Sequence, residues 1–378
     1  MSLAGSVIDA PAARDTGLGR AADGLRTLAA LHAEDADHRR GLSREVTDGI
    51  RAAGFARHFV AARFGGAEGS FAELTRAVIT VGESCAASAW CASLAAYSAR
   101  FASHLPEEGH QALWGASPDT VVATGLMPAG RARRADGGWQ VTGQWAYVSG
   151  IDFADWVMLC AAVAGGEGPP QLRFFTLPRG AYTVRETWDS IGMRATGSHT
   201  VVVDDVFVPD HLTFDRTDML TGRNGTSDVA AHNVPFQAVG GLTFIAPVVG
   251  AAAGALAACA GSVTGRRRNE TAELTVVRAS GRVDAARHLV EQNAHVLDQR
   301  LFTPEHMARN ERNATFAAEM LREAATLLVG AAGTGGLGEG HALQRYWRDI
   351  TSATSHVALQ YDTAARKNYS AVLLGPAE

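Results

Sequence analysis

The sequence predicts an α+β protein in three parts: an N-terminal α-helical domain, a middle antiparallel β-domain and a C-terminal four-helix bundle. Three observations predict it. The apolar period is helical up to about residue 118, shortens to two between residues 121 and 209, and turns helical again beyond residue 224. Gly, Pro and Asp turns cut the period-two region at short intervals. Four long helical segments then follow one another, which is the pattern of a bundle. At 378 residues the chain exceeds one typical core, and its divisions are expected at 1–118, 119–223 and 224–378.

Taken in order, the first part opens on an amphipathic face at Leu25, Leu28, Ala29 and Leu31, followed by a charged stretch over 34–40. Ser43 is placed to cap a second helix through Ile50. Arg63-Phe64-Gly65-Gly66 reads as a turn, and a long apolar helix is expected through Ser84 to Ala102. Strands are expected around Val121-Val122-Ala123, Gln140-Val141-Thr142, Trp156 to Leu159, Leu172 to Phe175, Tyr182 to Val184, and Val201 to Pro209. The bundle helices are expected at about 239–265, 275–300, 304–332 and 341–374.

Composition removes several function classes. Net charge is −5 with a pI near 6.2, which argues against a nucleic-acid partner. The four cysteines, Cys85, Cys91, Cys160 and Cys259, form no C-x-x-C pair and lie mostly in apolar runs. Buried thiols in a reducing, cytoplasmic compartment are the expectation. Met1 to Arg14 has no apolar core of the kind a signal peptide needs. Residues 238–260 are uncharged and long enough to span a bilayer, yet they are rich in Ala and Gly and contain Pro247. A buried bundle helix with no membrane partner is the better reading. No His/Cys/carboxylate spacing suggests a metal. No Walker or well-placed Rossmann fingerprint appears, so NAD(P)H is expected to bind elsewhere.

Four segments carry chemistry. Gly192-Met193-Arg194-Ala195-Thr196-Gly197-Ser198 is a glycine-bounded turn feeding a β-branched strand. It offers backbone N–H groups and two hydroxyls, suited to a phosphate or a flavin edge. Gln144-Trp145-Ala146-Tyr147-Val148-Ser149-Gly150 pairs a large flat indole with a hydroxyl. Ser88-Ala89-Trp90 lies in the apolar helix. Arg345-Tyr346-Trp347-Arg348-Asp349 precedes His356 by a six-residue spacer, and an imidazole titrates near neutrality.

Together these segments resemble the acyl-CoA dehydrogenase superfamily in its flavin-dependent monooxygenase branch, over nearly the whole chain. The resemblance implies the oxygenase component of a two-component system. It would take reduced FMN, possibly FAD, from a separate NAD(P)H-dependent flavin reductase, act on a phenolic or polycyclic aromatic substrate, and assemble as a homotetramer. It places Trp90, Thr124, Trp145, Ser149, Thr196 and Ser198 at the flavin, and gives Arg266 a flavin phosphate to grip from a neighbouring subunit. Ser149 and His356 are the catalytic candidates, with His356 on the last long helix. Trp90 and Ser98 would line the substrate pocket. Ser98 stands where hydroxyphenylacetate-type relatives often carry histidine; nearby His104 is out of helical phase with that place and is as readily a surface residue. Alternatives within the fold are an amino-sugar N-oxygenase, an acyl-CoA dehydrogenase and a catalytically silent scaffold. The dehydrogenase is disfavoured because the place of its glutamate falls at Val357.

Overall fold

A computed structural model describes residues 17–163, 170–264 and 270–375. The N-terminal helices are α1 (Gly17–Arg39), α2 (Arg44–Ala52), α3 (Phe71–Gly82), α4 (Ala86–Ala102) and α5 (Glu107–Trp114). Ser43 caps α2 as expected, its side chain accepting from the Val46 N–H. The expected turn at Gly65 is left-handed, with φ +82°. The long apolar helix expected through Ser84 to Ala102 is α4, which begins two residues later, after a break at 83–85 that ends α3.

The sheet comprises β1 (Val122–Ala135), β2 (Gly138–Val148), β3 (Trp156–Val163), β4 (Leu172–Pro178), β5 (Thr183–Arg185), β6 (His199–Pro209) and β7 (Thr213–Asp215). Its order is β5-β6-β2-β1-β3-β4-β7. The sheet departs from purely antiparallel at one place: β1 and β3 run parallel, with Val122 opposite Trp156, while the other pairs are antiparallel. β2 inserts between β1 and β6, so β3 returns along the free side of β1 in the same direction. Short α6 (Arg216–Thr221) and α7 (Phe236–Val239) lead into the bundle.

The bundle contains α8 (Leu242–Thr264), α9 (Glu270–Asp298), α10 (Pro304–Ala332) and α11 (Ala342–Ala353), followed by α12 (Arg366–Leu374). The apolar segment Phe236–Ser262 could span a bilayer by length, but 78% of its apolar window is buried inside the protein. It crosses α3 at close range: a Cβ on Gly250 would stand 2.2 Å from the Ile79 carbonyl oxygen. The last expected helix does not run to residue 374. It stops at Ala353, where Thr354 Oγ1 bonds the Ile350 carbonyl and Ser355 Oγ bonds the Ser352 carbonyl. Such side-chain bonds compete with the backbone ladder.

Two large cores share one helix. Ala89, Trp90 and Cys91 of α4 pack into the helical core, while Ala95, Ala99 and Phe101 pack into the sheet core. This wedge position puts α4 at the seam where the sheet meets the bundle.

Candidate active site

The seam gathers side chains from four distant parts of the chain. From α4, the Trp90 indole N–H donates to Ser149 Oγ at 3.2 Å. Ser149 Oγ lies 2.7 Å from Ser198 Oγ, and Ser198 Oγ lies 2.7 Å from Thr196 Oγ1. Thr196 Oγ1 in turn donates to the Met193 carbonyl at 3.0 Å. Trp90, Ser149, Thr196 and Ser198, named separately from the sequence, therefore form one continuous hydrogen-bonded row.

His356 closes the other side. Its ring meets the Trp90 indole edge-on at 5.9 Å and stacks on Phe244 at 3.9 Å, while Phe244 also packs on Trp90 at 5.1 Å. His356 is not on a helix: it caps a 3-10 turn at Val357–Leu359, its Nδ1 accepting from the Ala358 N–H at 3.2 Å. Because Nδ1 accepts, the neutral ring carries its proton on Nε2. Burial of the ring pushes its pKa down to about 4, so at neutral pH His356 is an uncharged hydrogen-bond donor through Nε2. The sequence did not single out Phe244, since α8 is apolar on every side and no one position stands out.

The structure corrects the placing of Trp145. Its indole is fully buried in the sheet core, donates to the Cys160 carbonyl at 2.7 Å, and fills the space above Gly130 and Gly143. A bulge just after Trp145 turns Tyr147 to the other face. Trp145 opposes Val201 and Val148 opposes His199, so β2 carries one extra residue there. Tyr147 takes a left-handed φ of +63° in that bulge and is 76% exposed, its ring edge-on to Trp188. Simple alternation would have put Tyr147 in the core and misses the bulge.

Ser98 and Thr124 meet: Thr124 Oγ1 is 2.8 Å from Ser98 Oγ, two turns along α4 from Trp90. His104 is buried rather than at the surface; it stacks on Phe214 at 5.4 Å, and burial pushes its pKa down to about 3. Arg266 lies outside the described residues. Among the described residues, no group of three His, Cys, Asp or Glu could hold a metal.

The turn carrying Thr196 and Ser198 is held from α11. Met193 is left-handed, with φ +53°, a conformation that costs a bulky residue about 1–2 kcal/mol. Asp349 accepts its N–H at 2.5 Å, and Trp188 Nε1 donates to its carbonyl at 2.9 Å. Arg348 donates to the Ile191 carbonyl at 2.6 Å and pairs with Asp37 at 2.7 Å. Gly192 sits so close to α11 that a Cβ would stand 2.1 Å from the Arg348 carbonyl oxygen, which no other residue allows. Burial raises the Asp349 pKa to about 6, and the Met193 N–H opposes that rise. The Arg-Asp pair seven residues before His356 thus fixes the hydroxyl row relative to the imidazole.

Comparison with known proteins agrees with this geometry. Residues 242–361 match the family model described as acyl-CoA dehydrogenase, C-terminal domain. The FADH(2)-dependent resorcinol hydroxylase, oxygenase component, of Rhizobium sp. (strain MTP-10005) is 32% identical over 79% of this chain and 80% of its own length. The crystal structure of 3-HSA hydroxylase from Rhodococcus sp. RHA1 superposes with a TM-score of 0.90 at 25% identity, covering 96% of this chain and 98% of that one. XiaF from Streptomyces sp., solved with FADH2 and glycerol, shares the fold at a TM-score of 0.89 and 24% identity, over 95% of both chains. An acyl-CoA dehydrogenase fold whose seam carries a serine row and a capped histidine, with such relatives over four-fifths of its length, leads to one conclusion: the chain belongs to the oxygenase components of flavin-dependent two-component monooxygenases.

Proposed function

We propose that this chain hydroxylates a bulky phenolic or polycyclic aromatic compound, using reduced flavin delivered by a separate NAD(P)H-dependent reductase. The observation that carries the reading is the meeting of Trp90, Phe244 and His356 with the Ser149–Ser198–Thr196 row. A flavin needs flat apolar walls and a polar group at its ring edge, and these residues offer both, so the site fits the group. Trp90 and Ser149 would hold the ring, with Thr196 and Ser198 behind Ser149, and Thr124 with Ser98 would border the substrate side. Bound reduced flavin supplies the electrons that activate O2, one oxygen atom of which goes to the substrate.

The chain's own residues set the conditions. The aromatic walls exclude water, which protects the reacting oxygen from premature loss as hydrogen peroxide. His356 presents Nε2–H to the reacting oxygen or the phenol oxygen, and its burial keeps the ring neutral while it does so. Ser98, which meets Thr124 and stands in place of a larger imidazole, supports a substrate of more than one ring. FMN is the proposed flavin, with FAD the second choice. A homotetramer is proposed from exposed apolar helix surface, and a cytoplasmic setting from four free, buried cysteines.

A dehydrogenase reading lacks its base: the turn from His356 to Gln360 holds no carboxylate, and Val357 is 59% exposed. The deciding experiment supplies reduced flavin and oxygen with a naphthol-type polyketide, 4-hydroxyphenylacetate, an amino-sugar nucleotide or an acyl-CoA. Hydroxylation of the polycyclic phenol is expected. Turnover of the amino sugar alone, or dehydrogenation of the thioester, would displace the reading.

A further inference from the structure

The hydroxyl row has a direction. An indole N–H can only donate, so Ser149 Oγ is the acceptor of Trp90. At the far end the Met193 carbonyl can only accept, so Thr196 spends its single proton there. Its contact with Ser198 is then a hydrogen bond only if Ser198 donates. Ser198 has one proton as well, so its contact with Ser149 requires Ser149 to donate. Every proton in the row therefore runs from Trp90 toward Met193, and Ser149 keeps a lone pair, not a proton, for whatever lies on its open side.

From this we infer that Thr196, through Ser198, makes Ser149 a hydrogen-bond acceptor and so sets the redox state of flavin that the site prefers. Reduced flavin carries a proton on N5 and donates there; oxidised flavin has only a lone pair. Against Ser149 the first makes a bond, while the second leaves two acceptors facing each other. The inference rests on the proposed placing of Ser149 at the N5 edge. Thr196 acts as a positioning residue, and the Asp349 bond to the Met193 N–H holds the terminal acceptor in place. Thr196 and Ser198 are both buried, so solvent does not supply substitute partners.

Anaerobic titration of the intact protein with oxidised and photoreduced FMN, followed by fluorescence, tests this without turnover. The unsubstituted protein should bind reduced FMN about tenfold more tightly than oxidised FMN, the worth of one bond made against one unmade. Thr196→Val releases the proton of Ser198, letting the row reverse, so affinity for oxidised FMN should rise severalfold with reduced FMN unchanged. Ser198→Ala should relax the preference in the same way, covering the case in which the valine disturbs the turn. Thr196→Ser should keep the original ratio. Ser149→Ala should weaken reduced FMN alone. Equal affinities in the unsubstituted protein, or an unchanged ratio in both Thr196→Val and Ser198→Ala, would overturn the inference while leaving the monooxygenase reading intact. No effect of Ser149→Ala on either form would remove the placing of Ser149 and the inference with it.

Discussion

Phe244 stacks on His356 with ring centroids 3.9 Å apart and planes 29° from parallel. The phenyl ring comes from α8 and the imidazole from the turn after α11, so the stack joins two bundle elements at the seam. It also shields one face of the imidazole.

Phe244→Ala should therefore do two things. Removing a buried phenyl costs about 3–5 kcal/mol of stability, and the freed imidazole should waste reduced flavin as hydrogen peroxide. Phe244→Leu should recover most of the stability but not the coupling of flavin oxidation to product. The comparison needs a melting curve and a peroxide assay on both variants. Full coupling in Phe244→Leu would show that the stack serves packing alone.

His356→Asn and His356→Ala should separate the two roles of this residue. Asparagine can still accept the Ala358 N–H, so stability should stay close to the parent, whereas alanine loses a cap worth about 1 kcal/mol. Both lack Nε2–H, and hydroxylation should fall by about 10²-fold in each. Unequal rates would mean that the cap, not the donor, matters to turnover.

Acidity should act on stability before it acts on His356 chemistry. His356 and His232 are held near 4 and His104 near 3, each below the ordinary 6.5 through burial. Each binds its proton more readily unfolded, so its contribution is present above pH 6.5 and lost as pH falls toward 4. Asp349, raised to about 6, runs the other way: its contribution is present below its ordinary 3.8 and lost as pH rises through 6. Three histidines outweigh one carboxylate, so the melting temperature should drop as pH goes from 7 to 5. Between pH 6 and 9 the turnover rate should show no ionisation of His356. A rate step near 6.5 that vanishes in His356→Asn would contradict the neutral ring.

Assembly should reach four chains. α12 buries no residue, its Leu373 and Leu374 are 65% and 85% exposed, and Val277 on α9 is 68% exposed. Apolar helix surface of this kind calls for a partner. Sedimentation at micromolar concentration should give the tetramer mass, and Leu373→Asp with Leu374→Asp should lower it. A monomer in the unsubstituted protein would remove the proposal.

Much of this was legible in the residues. The three-part order followed from the change in apolar period, and the cap at Ser43 from local chemistry. The row of Trp90, Ser149, Thr196 and Ser198 was legible because those residues sit in recognisable segments. What failed was non-local. The β2 bulge turns Tyr147 outward although it stands only two residues from the inward Trp145, and alternation carries no sign of it. The parallel β1–β3 pair depends on where β2 inserts, which strand propensity does not encode. The stop at Ala353 depends on Ser and Thr side chains choosing backbone partners inside an otherwise helical pattern.

The left-handed Met193 has a consequence for how the protein matures. Its partner Asp349 lies 156 residues further along the chain, on α11. Contacts so distant in sequence form late, after the loops between them have closed. A nascent or half-assembled chain therefore lacks the anchor for its serine row until α11 docks. On the proposed placing of the flavin, competence to hold it arrives only when α11 docks, which would spare the cell a partly built oxygenase that turns reductant into peroxide.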